Sequence, residues 1–324
     1  MVKLASAEMA EKKLATRAAF GATLAELAEE GVPVVAVDAD LTGSTTTKKF
    51  AAAAPENKDK LFNCGIAEQN MIDVAAGLAL TGHVAYTGSF AVFGTGRAYD
   101  QIRNTVCYSN LDVKICPTHA GVSVGPDGGS HQMLEDISLM RGLPNMRVLV
   151  PADYAAARAA IKLAAKTPGP VYVRMGRAAV PCVYDDDVEL EIGRAYVLRE
   201  GSDATVVACG VEIREALAAA DMLAEEGVSI EVIDAFSVKP LDDDTITASV
   251  AKTGCCVVAE EHSVHGGLGS AVAECLARKN PAPCEFVGVQ DRFGKSGEFE
   301  ELLGYFNLDA AAIVEAVKRA RGRK

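Results

Sequence analysis

Val148-Leu149-Val150-Pro151-Ala152-Asp153, running directly into a helical pattern over residues 154–163, is the stretch on which the fold can be read. The three aliphatic residues make a short buried strand, and the proline ends it. Asp153 then stands where a helix N-cap belongs, with a carboxylate able to accept from the N–H groups of the first turn. Working outward, the same unit recurs. Residues 34–37, 113–115 and 171–173 read as further buried strands, and Phe20, Leu24 and Leu27 form a helix face before the first of them. Such alternation predicts a mostly parallel sheet covered by helices on both faces. The pattern breaks between about residues 176 and 203, where Asp185, Asp186 and Asp187 follow one another with no helical period. It resumes with strands at 204–208, 228–233 and 256–259 and a helix face of Ile213, Leu217, Ala220 and Leu223. The expected fold is α/β in two domains, 1–178 and 204–324, joined by a linker at 179–203.

Bulk properties narrow the function. A length of 324 residues suits two cores better than one. The formal net charge of -12 argues against a nucleic-acid binder, which needs basic stripes to displace counterions. An anionic ligand would have to be gripped by a local cluster of His and Arg. The nine cysteines show no CxxC spacing, so they read as free thiols in a reducing compartment. Cys255 and Cys256 adjoin a strand and should face opposite sides of it. No run reaches membrane-spanning length and the N-terminal stretch lacks an apolar signal core. A cytoplasmic protein with no membrane partner is expected.

Two stretches carry chemistry. In Asn63-Cys64-Gly65-Ile66-Ala67-Glu68-Gln69-Asn70-Met71, a glycine turn leads into a helix whose apolar positions are Met71, Ile72, Ala75, Leu78 and Ala79. Glu68 shares their face. An acid in a first helical turn is ordinarily just favoured by the helix dipole. On an apolar face it must also be paired, or neutral. The second stretch, Pro117-Thr118-His119-Ala120-Gly121-Val122-Ser123-Val124-Gly125-Pro126-Asp127-Gly128-Gly129-Ser130-His131-Gln132, follows a strand and holds four glycines. It is too long for a tight turn, and loops at the carboxyl ends of parallel strands are where ligands bind. Two of the five histidines bracket it, and imidazoles suit proton transfer near neutral pH. The alternative is an Ω-like loop with two surface histidines.

Together these stretches resemble the transketolase family. Ala39-Asp40-Leu41-Thr42, Leu143-Pro144-Asn145, Val150-Pro151-Ala152-Asp153, Glu260-Glu261-His262-Ser263 and Gly266-Gly267-Leu268-Gly269 extend the resemblance over essentially the whole chain. By itself the last of these, after a strand and opening a helix, would be only a packing turn or a weak dinucleotide fingerprint. The resemblance implies a pyrimidine-binding domain followed by a transketolase C-terminal domain, with thiamine diphosphate as cofactor. It implies that Glu68 hydrogen-bonds the aminopyrimidine ring and that Asp40 lies near the cofactor. Phe90 and Phe93 would pack on the pyrimidine, although ordinary core packing would also account for them. A third aromatic position falls near Gly96, with Tyr99 as a substitute. His119, Asp127 and His131 match residues that hold and relay protons of sugar hydroxyls, and Arg17, Ser44 and Arg177 match a phosphate grip. Arginine suits that task because its planar fork donates two parallel hydrogen bonds.

The resemblance also shows a gap. The family's Gly-Asp-Gly stretch and its following Asn, which hold Mg2+ and the diphosphate, have no counterpart here. Asp127-Gly128-Gly129 is the nearest string and lies in the histidine loop. No metal ligand is assigned to this chain. The implied protein is the C-terminal subunit of a split transketolase, moving a two-carbon ketol unit from a ketose phosphate to an aldose phosphate. An N-terminal subunit would supply the metal-binding domain, in a heterotetramer within which this chain homodimerises. Alternatives are a 2-oxoacid dehydrogenase β subunit, where the His–Asp–His loop is not expected, and a deoxyxylulose-phosphate synthase half, which would carry His in place of Asn70. A third is a transketolase-like binding subunit without catalysis, against which intact Glu68, His119 and His131 argue.

Overall fold

The computed structural model describes residues 2–324 and contains a seven-stranded and a five-stranded sheet. The larger sheet runs, in spatial order, Ser237–Lys239, Arg147–Leu149, Val171–Val173, Val113–Ile115, Val84–Gly88, Val34–Asp38 and Leu61–Asn63. All are parallel except the first, an antiparallel edge strand lent by the second half of the chain. The smaller sheet runs Cys284–Val289, Cys256–Ser263, Ala204–Ala208, Ile230–Asp234 and Tyr196–Arg199, again parallel but for its last strand.

Residue alternation explains why both faces are covered. Val34 and Ala36 enter one apolar cluster, with Val84, Tyr86, Val171 and Val173, while Val35, Val37, Ala85 and Tyr172 enter the other. Cys255 and Cys256 divide the same way, and all nine cysteines are free. Helices Ala18–Glu29 and Tyr154–Ala165 cover the first face and Glu68–Leu80 the second. Each cluster draws side chains from both sheets. A burial of this extent on two faces is what a parallel sheet requires.

Asp153 caps Tyr154–Ala165, accepting from the Ala156 N–H at 2.8 Å. Its other oxygen accepts from the N–H groups of Val183 (2.5 Å) and Tyr184 (2.8 Å), which the sequence did not suggest. The stretch 179–203 contains no helix, and strands hold both its ends. Ala179–Pro181 pairs with Lys13–Ala15, and Tyr196–Arg199 joins the smaller sheet. Among the described residues no helix is long and apolar enough to cross a membrane.

Candidate functional site

The carboxyl edge of the larger sheet gathers the chemistry. The loops leaving Val34–Asp38, Leu61–Asn63, Val84–Gly88, Val113–Ile115 and Val171–Val173 carry Asp40 and Ser44, Glu68, Phe90 and Phe93, the histidine loop, and Arg177 respectively. Arg17 immediately precedes helix Ala18–Glu29, which feeds the strand Val34–Asp38, and so opens at the same edge. Two site residues have left-handed backbone, Asp40 at φ 65° and His119 at φ 61°. Asp and His tolerate that region better than most side chains, and such strain clusters where geometry is functional.

Glu68 opens its helix and is 2% exposed. A carboxylate on an apolar face needs a partner, and Arg97 is that partner, its Nη1 2.8 Å from Glu68 Oε2. Arg97 ends a π-helical segment, Val92–Arg97, and its guanidinium also lies 4.6 Å over the Phe93 ring. Near Gly96, where a third aromatic is expected, it is this arginine that lies against the Phe93 ring. Tyr99 packs into the core instead. Phe90 and Phe93 stack with centroids 6.2 Å apart, and Phe90 stacks on His119 at 3.8 Å. The His131 ring meets both phenylalanines edge-on, at 6.0 and 5.5 Å. Glu68, Arg97, Phe93, His131, Phe90 and His119 thus form one chain of contacts. Asp40 stands at the adjacent strand end, its N–H donating to Asn63 Oδ1 at 3.1 Å. No hydrogen bond among the described residues joins it to that chain.

Beside the histidines lies a cavity of about 390 Å³ lined by Arg17, Ser123, Gly125, Arg177 and Phe299, among others. Arg17 donates to the Ser44 carbonyl at 2.9 Å. Arg177 donates to the Val124 carbonyl at 2.6 Å. Burial and the Arg177 charge lower the Arg17 pKa, while exposed Asp127 opposes that shift. Burial, then Arg17, Arg177 and His131, push His119 down to about 3. His119 is accordingly a neutral imidazole at physiological pH. Its Nδ1 is engaged with the Thr118 hydroxyl at 2.8 Å, which leaves Nε2 for a ligand. His131, half-buried, engages the Ser130 hydroxyl through Nδ1 at 2.9 Å.

Supports from the second domain escaped the sequence reading. Buried Glu261 accepts from the Ser123 N–H (2.9 Å) and hydroxyl (3.0 Å), pinning the histidine loop. A side chain at Gly121 would meet that carboxylate at 2.2 Å, which accounts for this glycine. Arg174 joins the same network, donating to Asp136 Oδ2 at 2.7 Å and to the Glu261 carbonyl at 3.0 Å. Burial opposes ionisation of Asp136, but the Arg174 charge prevails and holds it below the usual range. Glu260 accepts from the N–H groups of Leu268 (2.7 Å) and Gly269 (2.8 Å). The glycine turn at 266–269 is thereby a packing turn whose helix end is already occupied by a carboxylate. Sequence signals for Glu260 and Glu261 existed only as a motif without a role. Arg97 and Arg174 had no signal at all.

The family model for the transketolase pyrimidine binding domain matches residues 12–183, and that for the transketolase C-terminal domain matches residues 193–313. A solved structure described as a split gene transketolase, inactive beta4 tetramer, is 48% identical with a TM-score of 0.87, covering 96% of this chain and 99% of that one. A protein of Methanocaldococcus jannaschii described as a transketolase C-terminal section is 45% identical over 304 residues, 93% of this chain and 94% of its own. The 6-deoxy-6-sulfo-D-fructose transketolase subunit SqwH of Clostridium sp. is 41% identical over 301 residues, 93% of this chain and 92% of its own.

Proposed function

The chain belongs to the transketolase family, and from that premise we propose that it is the C-terminal subunit of a cytoplasmic split transketolase, moving a two-carbon ketol unit between sugar phosphates once an N-terminal subunit completes its site. The observation that carries this reading is the contact chain from Glu68 to His119, set beside a two-arginine cavity at one sheet edge. Relatives that span nearly the same length and are described as subunits or sections support the split.

The residues fit thiamine diphosphate at its pyrimidine end. A buried carboxylate stands next to a flat aromatic shelf, and a planar cation already lies in the slot between them. Glu68 would hydrogen-bond the aminopyrimidine ring, Phe90 and Phe93 would pack against it, and Asp40 would lie at its margin. Bound there, the cofactor supplies the group that stabilises a carbanion. Among the described residues no cluster of three or more His, Cys, Asp or Glu side chains could hold a metal. Mg2+ and the diphosphate would be held by the N-terminal subunit, in a heterotetramer containing two copies of this chain.

On the substrate side, Arg17 and Arg177 would bind the terminal phosphate by charge-assisted hydrogen bonds, with the Ser44 backbone holding Arg17 in place. A sulfonate presents the same oxyanion geometry, and the similarity to a sulfofructose transketolase subunit is consistent with a pocket that reads the anion. His119, kept neutral, would hold a sugar hydroxyl through Nε2. His131 would move a proton to or from the sugar oxygen, and Asp127 would bind a further hydroxyl. Ketol transfer by an equimolar mixture with the N-terminal subunit tests this reading. Glu68→Gln in that mixture should cost about a hundredfold or more in turnover, because an amide cannot share a proton with the ring. Turnover near wild type would remove Glu68 from the catalytic role.

A further inference from the structure

The glycines of the histidine loop have a second explanation that points to a further residue. Residues 292–298 of the second domain lie across this loop as a strap. A side chain at Gly128 would come within 2.2 Å of Ser296 Oγ, one at Gly129 within 2.7 Å of the Gly294 carbonyl, and one at Gly294 within 1.9 Å of Gln132 Oε1. The backbones touch, and only glycine permits it. Gln132, 4% exposed, fastens the contact. Its Oε1 accepts from the Lys295 N–H at 2.8 Å and its Nε2 donates to the Lys295 carbonyl at 2.9 Å. A third bond, to the Val122 carbonyl at 3.2 Å, reaches across the loop itself. Both amide N–H donors and the carbonyl oxygen are thus engaged between loop and strap, which is how a buried polar group becomes a specific clamp rather than a cost.

Both ends of the strap matter. Arg292 donates to the Tyr305 carbonyl at 2.8 Å, anchoring it in the second domain. Beyond Gly297 the chain passes Glu298, Phe299 and Glu300, which line the cavity holding Arg17 and Arg177. Arg214 holds that end through Glu300 at 2.6 Å and the Phe299 ring at 4.6 Å. His131 immediately precedes Gln132, so the clamp fixes the backbone from which the His131 ring reaches Phe90 and Phe93.

We propose that Gln132 is a positioning residue for His131, acting through the strap, so that the C-terminal domain takes part in setting the geometry of ketol transfer. The proposal rests on the function reading above, which the wild-type reaction of the reconstituted complex tests separately. A displacement of about an ångström at a catalytic group costs on the order of tenfold to a hundredfold in rate. In the reconstituted complex Gln132→Ala should lower kcat by about tenfold or more, leaving KM for the ketose phosphate and thiamine diphosphate affinity within about twofold. Gly294→Ala, which pushes the strap off from the other side, should do the same. The double variant should be no worse than the poorer single variant, because both break one contact. Gln132→Glu keeps the acceptor for the Lys295 N–H but turns a charged oxygen toward the Lys295 and Val122 carbonyls, and should therefore be no better than Gln132→Ala. Hydrogen exchange on the unassembled chain gives a readout independent of catalysis, in which the Lys295 amide loses protection in Gln132→Ala. The proposal is overturned by unchanged kcat in folded variants, by fully additive losses, or by Lys295 protection that the substitution does not alter.

Discussion

His119 concentrates the physics of the site in one side chain. Its backbone is left-handed, its ring stacks on Phe90, and burial with two nearby arginines keeps it neutral. Its folded pKa of about 3 lies below the ordinary imidazole value of 6.5. The unfolded chain therefore binds the additional proton between those values. The contribution to stability is complete above pH 6.5 and is lost as pH falls toward 3. Chemical denaturation should show stability declining over that window, and His119→Gln should flatten the slope there. An unaltered slope would contradict the assignment. Removing a neighbouring charge has the opposite sign. Arg177→Ala should raise the His119 pKa, measurable as a shift of its imidazole NMR titration. The same substitution should raise KM for phosphorylated substrates about tenfold to a hundredfold, the equivalent of losing one charge-assisted bond of roughly 1.5–3 kcal/mol. Unphosphorylated analogues should be little affected, and an equal penalty on both would remove Arg177 from the anion pocket. At this scale the sequence was readable where a residue type carries its own chemistry, as with Glu68 and the two histidines. Arg97, Arg174 and Gln132 were not, because their importance lies in partners from distant elements.

Among the elements, strand–helix alternation was legible because buried parallel strands are aliphatic throughout and their helices begin at recognisable caps. Asp153 is the clearest instance, and the structure adds its two bonds to Val183 and Tyr184. Asp153→Ala removes an N-cap worth about 1 kcal/mol and leaves two further N–H groups without their acceptor. A loss of roughly 2–4 kcal/mol is expected by urea denaturation, with increased exchange at residues 183 and 184. A loss below about 0.5 kcal/mol would show the cap and tether to be unimportant. What the pattern could not reveal was the crossing strand Ser237–Lys239, which completes the larger sheet from the second half of the chain. Three residues carry too little periodicity to announce an edge. The glycine-rich loop reads from sequence as a ligand loop, and the structure shows that its glycines also answer to Glu261 and the strap. Such close approach is a tertiary fact that composition does not encode.

For the whole molecule, the decisive feature is a site at the edge of one sheet that sets buried Glu68 and the Phe90–Phe93 stack beside a cavity lined by Arg17 and Arg177, with no metal-ligand cluster among the described residues. Next to it, helix Glu68–Leu80 is bracketed by Ile66, 78% exposed, and Leu80, 73% exposed. Large apolar side chains in those positions suit a covered interface better than solvent. Ile66→Asp with Leu80→Asp should leave the fold intact and weaken association with the N-terminal subunit, seen by sedimentation. Undiminished association would place the interface elsewhere. The most direct measurement is calorimetric titration of thiamine diphosphate with Mg2+ into the chain alone and into its equimolar mixture with the N-terminal subunit, followed by a ketol-transfer assay of both. The account predicts weak or no binding and no turnover by the chain alone, with Mg2+-dependent binding and turnover in the mixture. Tight, Mg2+-dependent binding with turnover by the chain alone would contradict it.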